Sequence, residues 1–403
     1  MSHYLLGKST IMLCALSLCA CSDVPGSPAQ AVNDPDTGAT VDGGVVDAPG
    51  PDTAPIVCPT APPFDETNAA LVALCTKPLF VAVGDYTRRA VSNDGITWVD
   101  TSTKKADVPQ GANPDLLAET TVTIHNGIVV AVGGNGVFYS HDGGKTFFEA
   151  PGIAHPGFEL YGPGVGFLNG HFWLVTDGGT WTSTDGKAWT GWLNQEQLPG
   201  QSTLAMDKKV TAAFSGHGHG VIAGNGKIVF TEDSMRYRTF DGTSWFESKV
   251  GNYNGFAAGI AFGGGRFLML GSDCCAMPAP TSRGLRAVSA DGLKWSEMTN
   301  DTPNVLQVAD LSAALWDDSH FFVSAGPWAK EAYVSPDGVA WSKTPIDAAM
   351  GTLAAMDKVW AGSSHTSLLR SIDSGATWKA TLTSVGEDTD KWFAGIAAGR
   401  VLR

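Results

Sequence analysis

The strongest constraint in this 403-residue sequence is a short string that occurs seven times. "SNDGITW" at 92–98 is followed by "SHDGGKTF", "STDGKAW", "TFDGTSW", "SADGLKW", "SPDGVAW" and "SIDSGATW". The aspartates are Asp94, Asp142, Asp185, Asp241, Asp291, Asp337 and Asp373, at intervals of 48, 43, 56, 50, 46 and 36 residues. Such intervals suit a repeating unit of four short strands with loops of variable length. Composition agrees, because 49 Gly and 13 Trp favour many tight turns and flat, bulky side chains over long helices.

The chemistry of the string explains its residues. A turn carboxylate accepts the backbone N–H groups that follow it, so a hairpin can be held without a ladder partner. Gly supplies a positive φ, and the Ser or Thr hydroxyl adds a second local hydrogen bond. The closing ring, at Trp98, Phe147, Trp189, Trp245, Trp295, Trp341 and Trp378, has a large face to bury between neighbouring sheets. Upstream of six of the strings lies a turn and an apolar run, as in "HNGIVVAVGG", "GNGKIVFTED" and "MDKVWAGSS". Each unit therefore reads as strand, turn, apolar strand, loop, strand, Asp turn, strand.

These strings resemble Asp-box (BNR) repeats and cover nearly all of residues 80–378. Two have the full form, Ser140–Phe147 and Ser371–Trp378, and the others are one residue shorter. The resemblance implies an all-β, seven-bladed β-propeller of four-stranded antiparallel blades, of the kind found in sialidases. The chain end, "WFAGIAAGRVLR", echoes the innermost-strand pattern "GFAAGIAFGGGRFLML" at 255–270. The tail is therefore expected to add a strand to the first blade and close the ring. The alternative register uses "ALVALCTKPLFVAVG" as the first hairpin and leaves the tail as an extra strand. The resemblance also implies that the seven aspartates are structural, lying on the rim away from the functional face.

The segment before the repeats has other roles. Residues 1–20 read as a signal peptide, with Lys8 preceding the apolar "STIMLCALSL". "LCAC" resembles a bacterial lipoprotein signal, which implies lipidation of Cys21 and, with Ser22 next, placement at the outer membrane or cell surface of a bacterial envelope. The other possibility is an ordinary secretory leader. Residues 22–57 hold six Asp, no Lys or Arg and no aromatic ring, a composition that cannot bury a core. Residues 21–57 thus form a lipidated Cys and a tether reaching about 30 Å. Residues 58–403 form the propeller domain. Of the cysteines beyond the leader, Cys58 and Cys75 are expected to form a disulfide. Cys274 and Cys275 form either a vicinal disulfide or two thiols.

Net charge is −14 overall and −9 over residues 58–403, and no cluster of Lys and Arg exceeds two adjacent residues. Nucleic acid is excluded as a partner, because phosphate binding needs a basic stripe. Function is expected from the face opposite the Asp turns. Candidates there are Asp85 and Arg88 in "GDYTRRA", His217 and His219 in "SGHGHG", Glu232 and Asp233 in "TEDSMRYR", and Asp273 and Arg283 in "SDCCAMPAPTSRGLR". Two His two residues apart on an extended chain point to one side and could share a metal with Glu232 and Asp233. The alternative for that Gly-rich stretch is solvated or locally bonded imidazoles. The sequence identifies neither a metal nor a cofactor.

The sialidase likeness stops short of activity. The Phe/Tyr-Arg-Ile-Pro stretch is absent, and none of the ten Arg and seven Tyr stands in a sialidase setting. The expected function is a lipid-anchored, extracytoplasmic glycan- or protein-binding module, monomeric, touching the membrane through its anchor alone. The alternative is a carbohydrate-active hydrolase or lyase with its site on the loop face.

Overall fold

Alternating apolar runs separated by two-residue turns give short antiparallel strands, and these assemble into seven sheets. The computed structural model describes residues 56–103, 119–133, 136–151, 153, 164–176, 179–193, 220–231, 236–250, 256–272, 284–296, 313–325, 330–364, 367–382 and 392–403. Six sheets have four antiparallel strands. The fifth has three among the described residues, with Ser296 N–H donating to Val288 O (2.9 Å) where a fourth would begin. The architecture is an all-β, seven-bladed propeller. Its innermost strands touch in order around the ring, and the seventh (Thr352–Met356) contacts that of the first.

The first blade's innermost strand comes from the far end of the chain. Phe393–Leu402 pairs antiparallel with Thr76–Gly84 over nine residue pairs, from Thr76 opposite Leu402 to Gly84 opposite Phe393. Arg89–Ser92 and Val99–Asp100 complete that blade. This pairing decides between the two registers: the tail closes the ring. It also explains why only six of the seven units carry the upstream turn, since blade one has no chain connection between its first and second strands. Residues Ala69–Cys75 of the alternative register are a helix, capped by the Asn68 side chain accepting from Leu71 N–H (3.0 Å). The expected Cys58–Cys75 disulfide is present and ties residue 58 to the end of that helix. A closed loop of this size contributes about 3 kcal/mol in the chain-entropy model.

The core consists of seven apolar clusters, each between two successive blades. Each cluster contains the string aromatic of its later blade. Phe147 packs with Val81 and Val91 of blade one, Trp189 with blade two, and so on to Trp98, which meets Leu368 of blade seven. The repeat's ring is therefore the key that locks one blade to the one before it.

Two sets of turns share one side of the propeller, here the turn face. The first set joins strands one and two. Asn126-Gly127, Asn169-Gly170, Asn225-Gly226, Gly264-Gly265 and Asp357-Lys358 all have positive φ at both positions, the geometry that matches strand twist in two-residue hairpins. The second set holds the string aspartates. Asp94 accepts N–H groups from Ile96 (2.7 Å) and Thr97 (2.8 Å), and the Ser92 hydroxyl both donates to Asp94 (2.9 Å) and accepts from Gly95 N–H (2.8 Å). The turns at Asp142, Asp291, Asp337 and Asp373 repeat this pattern of donors. Their glycines wedge against the preceding blade. A Cβ at Gly144 would stand 2.7 Å from Val91, and one at Gly338 would stand 2.7 Å from Val288.

The fourth string departs from this pattern. Asp241 still accepts from Thr243 and Ser244 N–H, but strand pairing continues to Phe240 opposite Trp245. The Thr239 hydroxyl donates to Gly292 O of the next blade (2.6 Å) instead of to its own aspartate. Five string tryptophans donate Nε1–H to the carbonyl of their turn glycine, whereas Trp245 Nε1 has no hydrogen-bond partner among the described residues.

The donors acidify the turn carboxylates. At Asp373 the Thr377 hydroxyl (2.6 Å), the Thr377 N–H (2.9 Å) and the Ser371 hydroxyl (2.7 Å) bring the pKa from 3.8 down to about 2. His125, stacked on Phe167 with centroids 4.5 Å apart, is pushed down to about 4 by loss of water. Both shifts have the same sign, because the unfolded chain takes up each proton first as pH falls. Stability is therefore expected to fall first from about pH 6.5 toward 4 through His125, then from about 3.8 toward 2 through Asp373. Urea midpoints measured across this range check it: His125→Gln should flatten the upper step and Asp373→Asn should reduce the lower one.

Candidate functional site

The loop face, opposite the turns, carries the connections between strands two and three and the links between blades. Its described part includes the link between blades six and seven, residues 346–351, and the place where the ring closes, which holds Asp85 and Arg88, singled out from sequence. Gly84 ends the second strand of blade one, and a Cβ there would lie 2.0 Å from Trp392 O, so only glycine admits the closing strand this closely. Asp85–Thr87 then form a single 3-10 turn. Asp85 N–H donates to Trp392 O (3.0 Å), and the Asp85 carboxylate accepts Trp392 N–H (3.3 Å). A carboxylate proposed from sequence as part of a loop-face site thus also latches blade one to the start of the closing tail.

Arg88 lies directly beneath. It is 1% exposed, with its guanidinium carbon 4.3 Å from the centre of the Phe393 ring. Stacking a cation on an aromatic face in a desolvated setting is favourable by about 2 kcal/mol. Its neighbour Arg89 turns toward blade two. Arg89 Nε donates to Glu119 Oε2 (2.8 Å), and a second bond joins Arg89 Nη2 to Glu119 Oε1. The guanidinium carbon also lies 4.7 Å from the Phe138 ring and 4.4 Å from the Phe147 ring. Glu119 is fully buried at the start of blade two's inner strand, so this bidentate pair joins the first two blades inside the protein.

Above this buried layer Trp392 stands 46% exposed. The result is an exposed tryptophan whose backbone N–H is held by a carboxylate, a pair carried on a backbone fixed by strand pairing. Such a pair can stack on an apolar ring face while accepting hydrogen bonds from hydroxyl groups. Below it, inner strands line an apolar cavity of about 270 Å³ in the channel, walled by Ile222, Ile260, Phe262, Ala314, Trp316 and Ala398, among others.

Of the residues singled out from sequence, Asp85 and Arg88 are brought together here. His217, His219, Glu232, Asp233, Asp273, Arg283, Cys274, Cys275 and the lipidation residue Cys21 lie outside the described residues. Among the described residues no group of three or more His, Cys, Asp or Glu is arranged to hold a metal. Sequence reasoning did not single out Trp392, whose latch partner is 307 residues away, nor the pairing of Arg89 with Glu119. Two signals were available: Trp392 opens the tail that repeats an inner-strand pattern, and Glu119 opens the next such strand.

No protein-family profile matches the sequence, and comparison with curated proteins finds no match. Among solved structures the chain is similar to YCF48 bound to a D1 peptide, at 16% identity over 70% of this chain and 85% of that one, with a TM-score of 0.44. It is similar to the GH74 xyloglucanase from Xanthomonas campestris at 14% identity over 75% of this chain and 55% of that one, with a TM-score of 0.49. Apo AztD from Citrobacter koseri matches at 12% identity over 81% and 99%, with a TM-score of 0.42. At these identities the likeness is one of fold.

The Arg89–Glu119 pair gives a direct test of the blade-one to blade-two contact. Arg89→Met leaves a buried carboxylate unpaired and is expected to cost about 3–5 kcal/mol. Combining it with Glu119→Leu should recover most of that loss, because no charge is then left uncompensated. Urea midpoints of the single and double variants measure the difference, and equal losses would mean that the pair does not act as a unit.

Proposed function

We propose that the protein is a lipid-anchored, extracytoplasmic binding module of the Asp-box kind, whose loop face recognises a glycan of the cell envelope. The observation that carries the binding reading is the exposed Trp392, whose backbone N–H is held by the Asp85 carboxylate where strand pairing closes the ring. An aromatic and a carboxylate carried on a pre-ordered backbone lose less entropy on meeting a sugar than the same groups on a free loop. The Cys58–Cys75 disulfide supports export, since such bonds persist in oxidising compartments. The leader, Cys21 and the acidic tether to residue 57 support anchoring at the envelope. Five of the string turns share a hydroxyl–carboxylate–glycine clip, which supports the Asp-box assignment.

The test is a glycan array joined to a polysaccharide-degradation screen of the purified protein. Binding is expected, and Trp392→Ala should weaken it at least tenfold with an unchanged melting temperature. Binding unaffected by that variant would sink the reading, and capture of an envelope protein instead would replace the glycan with a protein partner. Product release that disappears in His219→Ala would favour the hydrolase or lyase reading. In cells, Cys21→Ser should move the protein from the membrane fraction to the soluble one.

A further inference from the structure

A second cavity lies on the turn face, away from Trp392. It has a volume of about 480 Å³, within the range of small-molecule sites, and it lies between the Asp turns of blades one and two. Its floor includes Leu79, Val91 and Val401, members of the core cluster joining those blades. Thr60 and Pro62, from the segment before the first helix, form one wall. That segment is fixed at both ends: the Cys58–Cys75 disulfide lies on one side, and Phe64 sits in van der Waals contact with Gly127 on the other.

The polar groups around the cavity divide into two kinds. Asp94 and Asp142 line it and keep their negative charge, while their oxygens are engaged by backbone N–H groups and a serine hydroxyl of their own turns. The Asn93 amide donates to Pro78 O (2.7 Å), and His141 Nε2 bonds to Asp185 O (2.7 Å). Lys77 and Lys145 also line the cavity, and neither ammonium has an ion pair or hydrogen bond among the described residues. An apolar floor beside two uncommitted cations calls for a ligand with an anionic head and a hydrocarbon body.

We propose that this cavity binds an amphipathic anion, its head held by Lys77 and Lys145 and its apolar body lying on Leu79, Val91 and Val401. Charge-assisted bonds from two ammonium groups favour a carboxylate or phosphate head over a neutral hydroxyl of equal chain length. Neither part suffices alone: the hydrocarbon gains from leaving water, and the head sets which hydrocarbon is accepted.

Decanoate, decanol and inorganic phosphate, titrated into the full chain by calorimetry, test this. Decanoate is expected to bind at least tenfold more tightly than either of the others. Lys77→Gln combined with Lys145→Gln should remove that preference, lowering decanoate affinity about tenfold or more and leaving decanol unchanged. Both lysines can be changed without opening the core, and an unchanged circular dichroism spectrum verifies the fold of the double variant. The proposal is overturned by decanol binding as tightly as decanoate, by phosphate binding as tightly as decanoate, by decanoate binding unaffected in the double variant, or by no binding.

Discussion

The pairing of Phe393–Leu402 with Thr76–Gly84 is the interaction on which the rest depends. An open array of blades would leave two unpartnered faces, each presenting an apolar surface that elsewhere meets a neighbour. Closure removes both, because the tail strand simultaneously completes blade one and brings it against blade seven through Ala82, Ala90, Phe393 and Leu368. The chain ends are held again at the turn face, where Arg403 N–H donates to Cys75 O (3.0 Å) and Arg403 Nε donates to Thr76 O (2.8 Å). The disulfide acts on the same place from the other direction.

Closure also creates the loop-face platform. Gly84, Asp85, Arg88, Trp392 and Phe393 become neighbours because the tail pairs with the first blade, so this part of the face is assembled by the same strand pairing that completes the fold. The turn face is built differently, from local hydrogen bonds at each Asp turn. The aspartates there are occupied, and what remains chemically free beside blades one and two is a pair of lysines. The two faces thus offer different chemistry: an indole with a carboxylate on one, cations over an apolar floor on the other.

Much of the architecture was legible because its determinants are local. Seven Asp strings count seven blades, and the aromatic at the end of each reports an interface, since it packs on the preceding blade whatever the intervening loop length. The fourth string shows the limit of that legibility. "TFDGTSW" has the right residue types, yet pairing extends through Phe240 and Trp245, and its hydroxyl and indole do not make the bonds found in the other strings. The candidate site was harder to read because its contacts span the chain. Asp85 and Arg88 were visible as polar residues in a loop. The burial of Arg88 under Phe393 and the exposure of Trp392 depend on a strand more than 300 residues away.

Amide hydrogen exchange of the closing strand probes the ring most directly. If the tail is an integral inner strand, the amides of Phe393–Leu402 that face Thr76–Gly84 exchange as slowly as those of Ile128–Gly133, the buried second strand of blade two, and open only in global unfolding. Exchange of the tail at rates typical of a frayed terminus, with Ile128–Gly133 still protected, would contradict ring closure and the loop-face platform built on it.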